Sequence, residues 1–322
     1  MTNPLLTNSL TQQTLKNTVN CVGIGLHSGK NVSMVIHPAE ANSGINFVRK
    51  DVSPGKGFIT GRWYNVVDTK MSTTIGNEYG VTLQTVEHLF AALKGCGIDN
   101  ALIEVDGPEI PIMDGSSAPF VDVLLNAGIE DQKEDRNIIW IQRPIEYRNG
   151  DKYAILMPGS SSKFTAEIQF DNTIIGTNVC SFDLSHDDFR NNMSRARTFG
   201  FADEINSLIE VGLIKGGSLT NAIVVDGEVI LNEDGLRFKN EFARHKVLDC
   251  IGDFALVGYQ ILGSYYAKKP GHELNHQFIK ALLNNRSAWS YISLRDYNDM
   301  FGIKYAGKNH NEQLHKSQAV YK

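Results

Sequence analysis

KNEFARHKVLDCIGDFALVGYQILGSYYA, residues 239–267, reads as the strongest helix of the chain. Val247, Leu248, Ile251, Phe254, Ala255 and Leu256 make it largely apolar. His245, Asp249 and Asp253 recur at intervals of four, which places them on one face. Polar groups on an apolar helix must pair with one another or bind something, because burying them unpartnered is costly. Two readings stay open on these residues alone. A His–Asp hydrogen bond satisfies a half-buried helix, or His245 and Asp249 are two donors of a metal site that needs a third.

Working outward, short β-like runs occupy Val19–Leu26, Asn31–His37 and Gly44–Val48, separated by Gly, Ser and Pro. Thr85–Lys94 and Ser117–Asn126 read as helices, each followed closely by Gly. Strands are expected at Ala101–Val105, Ile138–Ile141, Tyr153–Met157 and Ala222–Val225, and a second helix near the end at His272–Leu283. Strands interleaved with a few helices give an α+β class. The polar run 128–137, GIEDQKEDRN, is the best candidate for a domain boundary. That divides the chain into 1–132, 133–305 and a polar tail, 306–322. Both halves contain a run ending Val-Asp-Gly, at 105–107 and 225–227, a faint sign of duplication.

Bulk properties narrow the function. The 322 residues are 42% hydrophobic and 21% charged, an ordinary globular balance, and the formal net charge is −5. A nucleic-acid coat would carry a basic excess. Cys21, Cys96, Cys180 and Cys250 form no CxxC pair, which disfavours a zinc ribbon or disulfide scaffold and favours a reducing cytoplasm. No run approaches 18 apolar residues, and MTNPLLTNSLTQQTLKN lacks the basic start and apolar core of a signal peptide.

Three further sites carry chemistry. In TVEHLFAAL, 85–93, His88 sits among Leu89, Phe90 and Leu93, as a satisfied core histidine would. Glu87 beside it offers another reading: if His88 binds a metal, Glu87 is placed to take a proton from water there. His272, in PGHELNH, reads as well as a surface residue, and His276 four residues on leaves a His–His pair open. SRARTFGF, 194–201, runs into Ile205, Leu208, Ile209 and Leu213. That helix-like apolar stripe is either core or the lining of a ligand channel.

Six segments in order carry a resemblance: GIGLHSGK (23–30), TVEHLFAAL (85–93), GPEIPIMDGSSAPF (107–120), SRARTFGF (194–201), LNEDGLRFKNEFARHKVLDCIGD (231–253) and PGHELNH (270–276). Together they resemble the signature blocks of the UDP-3-O-acyl-N-acetylglucosamine deacetylase family of lipid A biosynthesis. The resemblance implies two similar domains, each a layer of two helices on a mixed β-sheet, with the active site in the cleft between them. It implies one zinc ion on His88, His245 and Asp249, with Fe²⁺ a candidate for the same ligands in the cell. It implies Glu87 as general base, His272 as the protonated group that helps the amine leave, and Asp253 as its partner. Thr198 and Lys246 would stabilise the oxyanion. Residues 198–218 match the acyl-chain passage, with Phe199, Ile205 and Ile214 as lining, and Lys269 matches a residue near the nucleotide's phosphates. His27, in the Gly-rich LHSG, receives no role, and 148–192 matches poorly, so no uridine contacts are named there. The implied substrate is a UDP-sugar with a 3-O-acyl chain, handled by a cytoplasmic monomer. Two other functions compete: a metal amidase acting on a different N-acyl sugar, and a non-catalytic RNA-binding module.

Overall fold

The computed structural model describes residues 9–171, 174–184 and 189–303; the expected tail, 306–322, lies outside the described residues. A five-stranded sheet is built from β2 (Val19–Ile24), β3 (Asn31–Pro38), β9 (Ala101–Val105), β4 (Ile45–Arg49) and β5 (Phe58–Thr60), in that spatial order. It is mixed, since β4 runs parallel to β9 and the other pairs are antiparallel. Alternation decides which face is covered: Val32, Met34 and Ile36 of β3 are fully buried, as are Ala101, Ile103 and Val105 of β9. Helix α1 (Glu87–Gly95) meets this sheet through Phe90, whose ring is 5.8 Å from that of Phe47 on β4, and α2 (Ala118–Ala127) contacts β2.

The long helix expected over 239–267 is in fact two elements. Helix α4 ends at Ala255 (Glu241–Ala255), and Gln260–Lys268 is strand β19. Gly258, at φ +83°, turns the chain in a conformation that glycine adopts without penalty. The run beyond it is rich in Ile, Leu and Tyr, and an unbroken apolar run does not separate a buried strand from a helix by period. β19 is buried because it is the hub of a seven-stranded sheet. It pairs antiparallel with β13 (Lys152–Met157) and parallel with both β11 (Asn137–Ile141) and β14 (Ser162–Gln169). β12 (Ile145–Asn149), β15 (Thr177–Asp183) and β20 (Trp289–Ser293) complete that sheet. α4 lies on β14 and β15, and α5 (His272–Asn284) lies on β12 and β13.

The polar run 128–137 is mostly strand. β10 (Ile129–Asp135) pairs antiparallel with β1 (Thr11–Leu15), so the candidate boundary is a two-stranded ribbon. Arg136 fixes that ribbon to the α1–β9 turn through Asp99 Oδ2 at 2.7 Å and the Gly97 carbonyl at 2.8 Å. The two Val-Asp-Gly runs occupy unlike places. The first ends β9 inside the five-stranded sheet, and the second ends β17 (Ile223–Asp226) in a small sheet with β16 (Phe199–Phe201) and β18 (Val229–Ile230). The stripe expected to be helical over 199–213 splits between β16 and helix α3 (Ala202–Glu210).

One continuous apolar core joins both sheets, and the α1–α4 contact runs through it. Gly252 permits that approach: a Cβ there would lie 2.1 Å from the carbonyl oxygen of Glu87. α1 is buried nearly all round, which turns the polar residues at its start into site residues.

Candidate active site

Three donors converge where α1 crosses α4. His88 comes from the first turn of α1, and His245 and Asp249 stand one turn apart on α4. Their ligand atoms all lie within 4.8 Å of one another, and all three residues are buried. His245 Nδ1 donates to the Ala196 carbonyl at 3.0 Å, because a carbonyl can only accept. The lone pair of its Nε2 therefore faces Asp249 Oδ1, 3.3 Å away, with His88 Nε2 at 3.6 Å from the same oxygen. Asp249 Oδ1 is sealed from solvent and makes no hydrogen bond among the described residues. Facing lone pairs without a partner are costly in a buried site, and a cation between them removes the cost. Burial lowers His245 to about 3, so its imidazole is neutral, as a ligand's must be. Burial also opposes ionisation of Asp249, but its surroundings, with the Lys246 ammonium 2.9 Å from Oδ2, hold its carboxyl well below the usual range. Two nitrogens and a carboxylate with a fourth side open to a cavity match the donor set of a catalytic metal site.

Glu87 and His272 stand beside the triad. Glu87 accepts from the Thr73 N–H through Oε2 at 3.0 Å, and its Oε1 is 3.7 Å from His272 Nε2. Burial raises the carboxyl of Glu87, with His272 and His88 opposing. His272 donates through Nδ1 to Asp253 Oδ2 at 2.9 Å. Burial acts against its charged form, but the carboxylates of Asp253 and Glu87 outweigh it and push the imidazole up to about 10. The imidazolium thus keeps an Nε2–H directed at Glu87's side of the site.

These groups open into a cavity of about 590 Å³. Glu87, His88, Thr198, His245, Lys246, Asp249 and His272 all line it, together with Phe199, Ile205 and Ile214. Lys246 Nζ lies 2.9 Å from Asp249 Oδ2. Thr198 is fixed by its backbone, which donates to the Gly115 carbonyl and accepts from Ile223 N, each at 2.8 Å. An apolar part of the lining, the arm of the cavity, is made by Leu208 and Ile209 of α3 with Leu219, Val224 and Leu231.

The predicted set therefore comes together with two exceptions. Asp253 stands behind His272 and does not line the cavity, as a partner would, and Lys269 does not line it either. The Lys269 ammonium pairs instead with Asp151. Among the described residues the only group of three or more donors is His88–His245–Asp249, so His272 and His276 belong to no such group. Sequence reasoning missed Thr73, Asn275 and Lys152. Asn275 Nδ2 donates to Asp253 Oδ2 at 2.8 Å, and Lys152, in the weakly matched segment, lines the cavity. Only Asn275 had a signal: it shares the PGHELNH block with His272, three residues on, which is one helical turn.

Comparison with known proteins identifies the family. A family model described as UDP-3-O-acyl N-acetylglycosamine deacetylase matches residues 12–284. A UDP-3-O-acyl-N-acetylglucosamine deacetylase of Histophilus somni is 48% identical over 288 residues, 88% of this chain and 94% of that one. Its counterpart in Pasteurella multocida is 47% identical over 288 residues, with the same coverage. One from Geotalea uraniireducens is 46% identical over 283 residues, covering 88% and 92%. The chain belongs to the UDP-3-O-acyl N-acetylglycosamine deacetylase family.

Proposed function

We propose that the chain is a zinc-dependent hydrolase that removes the N-acetyl group from UDP-3-O-(3-hydroxyacyl)-N-acetylglucosamine in lipid A biosynthesis, giving the free amine and acetate. The observation that carries this is the orphaned Asp249 Oδ1 facing two histidines, with Glu87 and His272 beside it and an apolar arm leading away. His88, His245 and Asp249 would hold a divalent cation, which when bound would supply Lewis acidity and lower the pKa of water at the site. Zinc suits two nitrogens and one carboxylate, and Fe²⁺ fits the same donors.

The chain's own groups do the proton transfers. Glu87 takes a proton from the attacking water as its oxygen bonds the acetyl carbon. Thr198 and Lys246 hold the oxygen that gains charge. The C–N bond then breaks, and His272 gives its Nε2 proton to the departing amine. Asp253, bound at Nδ1, keeps the imidazole oriented and charged until that moment. The acyl chain lies along Phe199, Ile205 and Ile214. Lys152, which lines the cavity, is better placed for the diphosphate than Lys269, whose charge Asp151 already meets.

Two similar domains, 1–132 and 133–305, with the site in the cleft between them, account for the two sheet-and-helix layers and for the origin of His88 in one and His245 and Asp249 in the other. All four cysteines are free and buried, and no helix among the described residues is long and apolar enough to cross a membrane. Acetate release from the acylated UDP-sugar, measured with the metal content of the same sample, tests the proposal. His245→Ala is expected to lose both together. Stoichiometric metal in that variant would remove the triad from the mechanism.

A further inference from the structure

Thr73 lies just before strand β7 (Thr74–Gly76) and is 2% exposed. Its neighbours Met71 and Ser72 line the cavity and it does not, so it touches no substrate there. Its three polar groups are all directed at the site's framework. The N–H donates to Glu87 Oε2 at 3.0 Å, and the carbonyl accepts from Val86 N, at the start of α1, at 3.2 Å. The hydroxyl donates to Asp253 Oδ1 at 2.6 Å, on α4 and 180 residues away. The other oxygen of Asp253 receives His272 Nδ1 at 2.9 Å and Asn275 Nδ2 at 2.8 Å. The Asp253 carboxylate is thus held from both sides, and Thr73 is the donor on one of them.

We infer that Thr73 is a positioning residue that holds Glu87 and Asp253 in one frame, and so fixes where His272 Nε2 stands relative to Glu87 Oε1. Without the hydroxyl, Asp253 is held on one oxygen only. It can turn about its Cβ–Cγ bond, and the imidazole hydrogen-bonded to it turns as well. Glu87 keeps its backbone donor, so the two halves of the acid–base pair lose their common reference. Substrate binding in the cavity is untouched, and the effect falls on the chemical step.

Thr73→Val tests this, since it keeps the β-branched shape and both backbone hydrogen bonds and deletes the hydroxyl alone. On the deacetylase reading, on which this assignment rests, kcat is expected to fall roughly 10-fold to 100-fold, the worth of one hydrogen bond to a charged group. KM should stay within about twofold and metal content should not change. Thr73→Ser should recover most of kcat. In an Asp253→Ala background Thr73→Val should cost nothing more, because the hydroxyl acts through that carboxylate. The assignment is overturned if Thr73→Val keeps wild-type kcat, or if it costs as much in the Asp253→Ala background. It is also overturned if activity falls in step with metal and serine does not restore it. A wild-type enzyme that releases no acetate would instead sink the deacetylase reading itself.

Discussion

Glu87 and His272 are pushed in the same direction, upward, by different causes: burial for the carboxyl, and two carboxylates overcoming burial for the imidazole. A raised histidine favours its charged form. The stability that the His272–Asp253 pair contributes is therefore full below the ordinary histidine range and is lost as pH rises towards about 10. For catalysis the same shifts give a bell-shaped kcat/KM, with Glu87 ionised on the acid side and His272 protonated on the basic side. A cation on the triad repels the imidazolium, so the basic limb should fall below about 10 and above the ordinary histidine range. Asp253→Asn should move that limb to lower pH, because the imidazolium loses its anion. Glu87→Gln should lose about 10²–10⁴-fold in rate with metal retained. Near-full activity in that variant would end Glu87's role as base. At this scale helical spacing made His245 and Asp249 visible as one face and Glu87-His88 as a pair, but it left a plain His–Asp hydrogen bond and a core histidine open, and only the family resemblance joined them into one ligand set. Thr73 was not, because a threonine in a hairpin has no local signal and its partner Asp253 is 180 residues away.

At the scale of elements, what positions the site is the crossing of α1 and α4 and the strap from 194 to 198. Buried Arg197 pins that strap to the first turn of α4. Its Nε donates to Glu241 Oε1 at 2.9 Å, and that oxygen also accepts from the Arg197 N–H at 3.1 Å. Arg197→Met leaves Glu241 buried without its cation and should cost about 3–5 kcal/mol in urea unfolding, the penalty for breaking a buried pair. The apolar arm makes a separate prediction. Ile214 sits at φ +46°, a conformation strained for any bulky side chain, so Trp there keeps the backbone strain of Ile and adds bulk to the apolar lining. Ile214→Trp should cut kcat/KM for a long-chain substrate by at least about tenfold and spare a short-chain analogue. Equal losses for the two would place the chain elsewhere. The sequence reading failed at 239–267 for a physical reason: β19, the sheet's hub, opens with four residues buried on both faces, 260–263, so its run starts without the alternation that marks a half-buried strand. The turn at Gly258 was the available sign.

Across the whole molecule, the two sheets share one core, and most of the polar run 128–137, the expected boundary, is a paired strand. Its composition did not show that pairing, because a ribbon exposed on its outer side is as polar as a loop. A cation on the proposed ligands would extend this coupling. His88 is carried by α1 with the five-stranded sheet, and His245 and Asp249 by α4 with the seven-stranded one. A cation bound to all three cross-links the two layers in the folded state and finds no such set in the unfolded chain. Its binding free energy is then added to folding, about 4 kcal/mol when free metal stands a thousandfold above its dissociation constant. Removing it also leaves Asp249 Oδ1 and the His245 lone pair facing each other across 3.3 Å in a buried site. Chelation should therefore lower Tm by on the order of 10 °C for a chain of this size. Either zinc or Fe²⁺ should restore it, since the donors suit both. In Asp249→Ala, where one ligand and the facing charge are both absent, Tm should respond little to chelator. If metal analysis shows the ion removed from the wild type and Tm does not move, the triad does not join the two layers, and the cation's role is confined to chemistry.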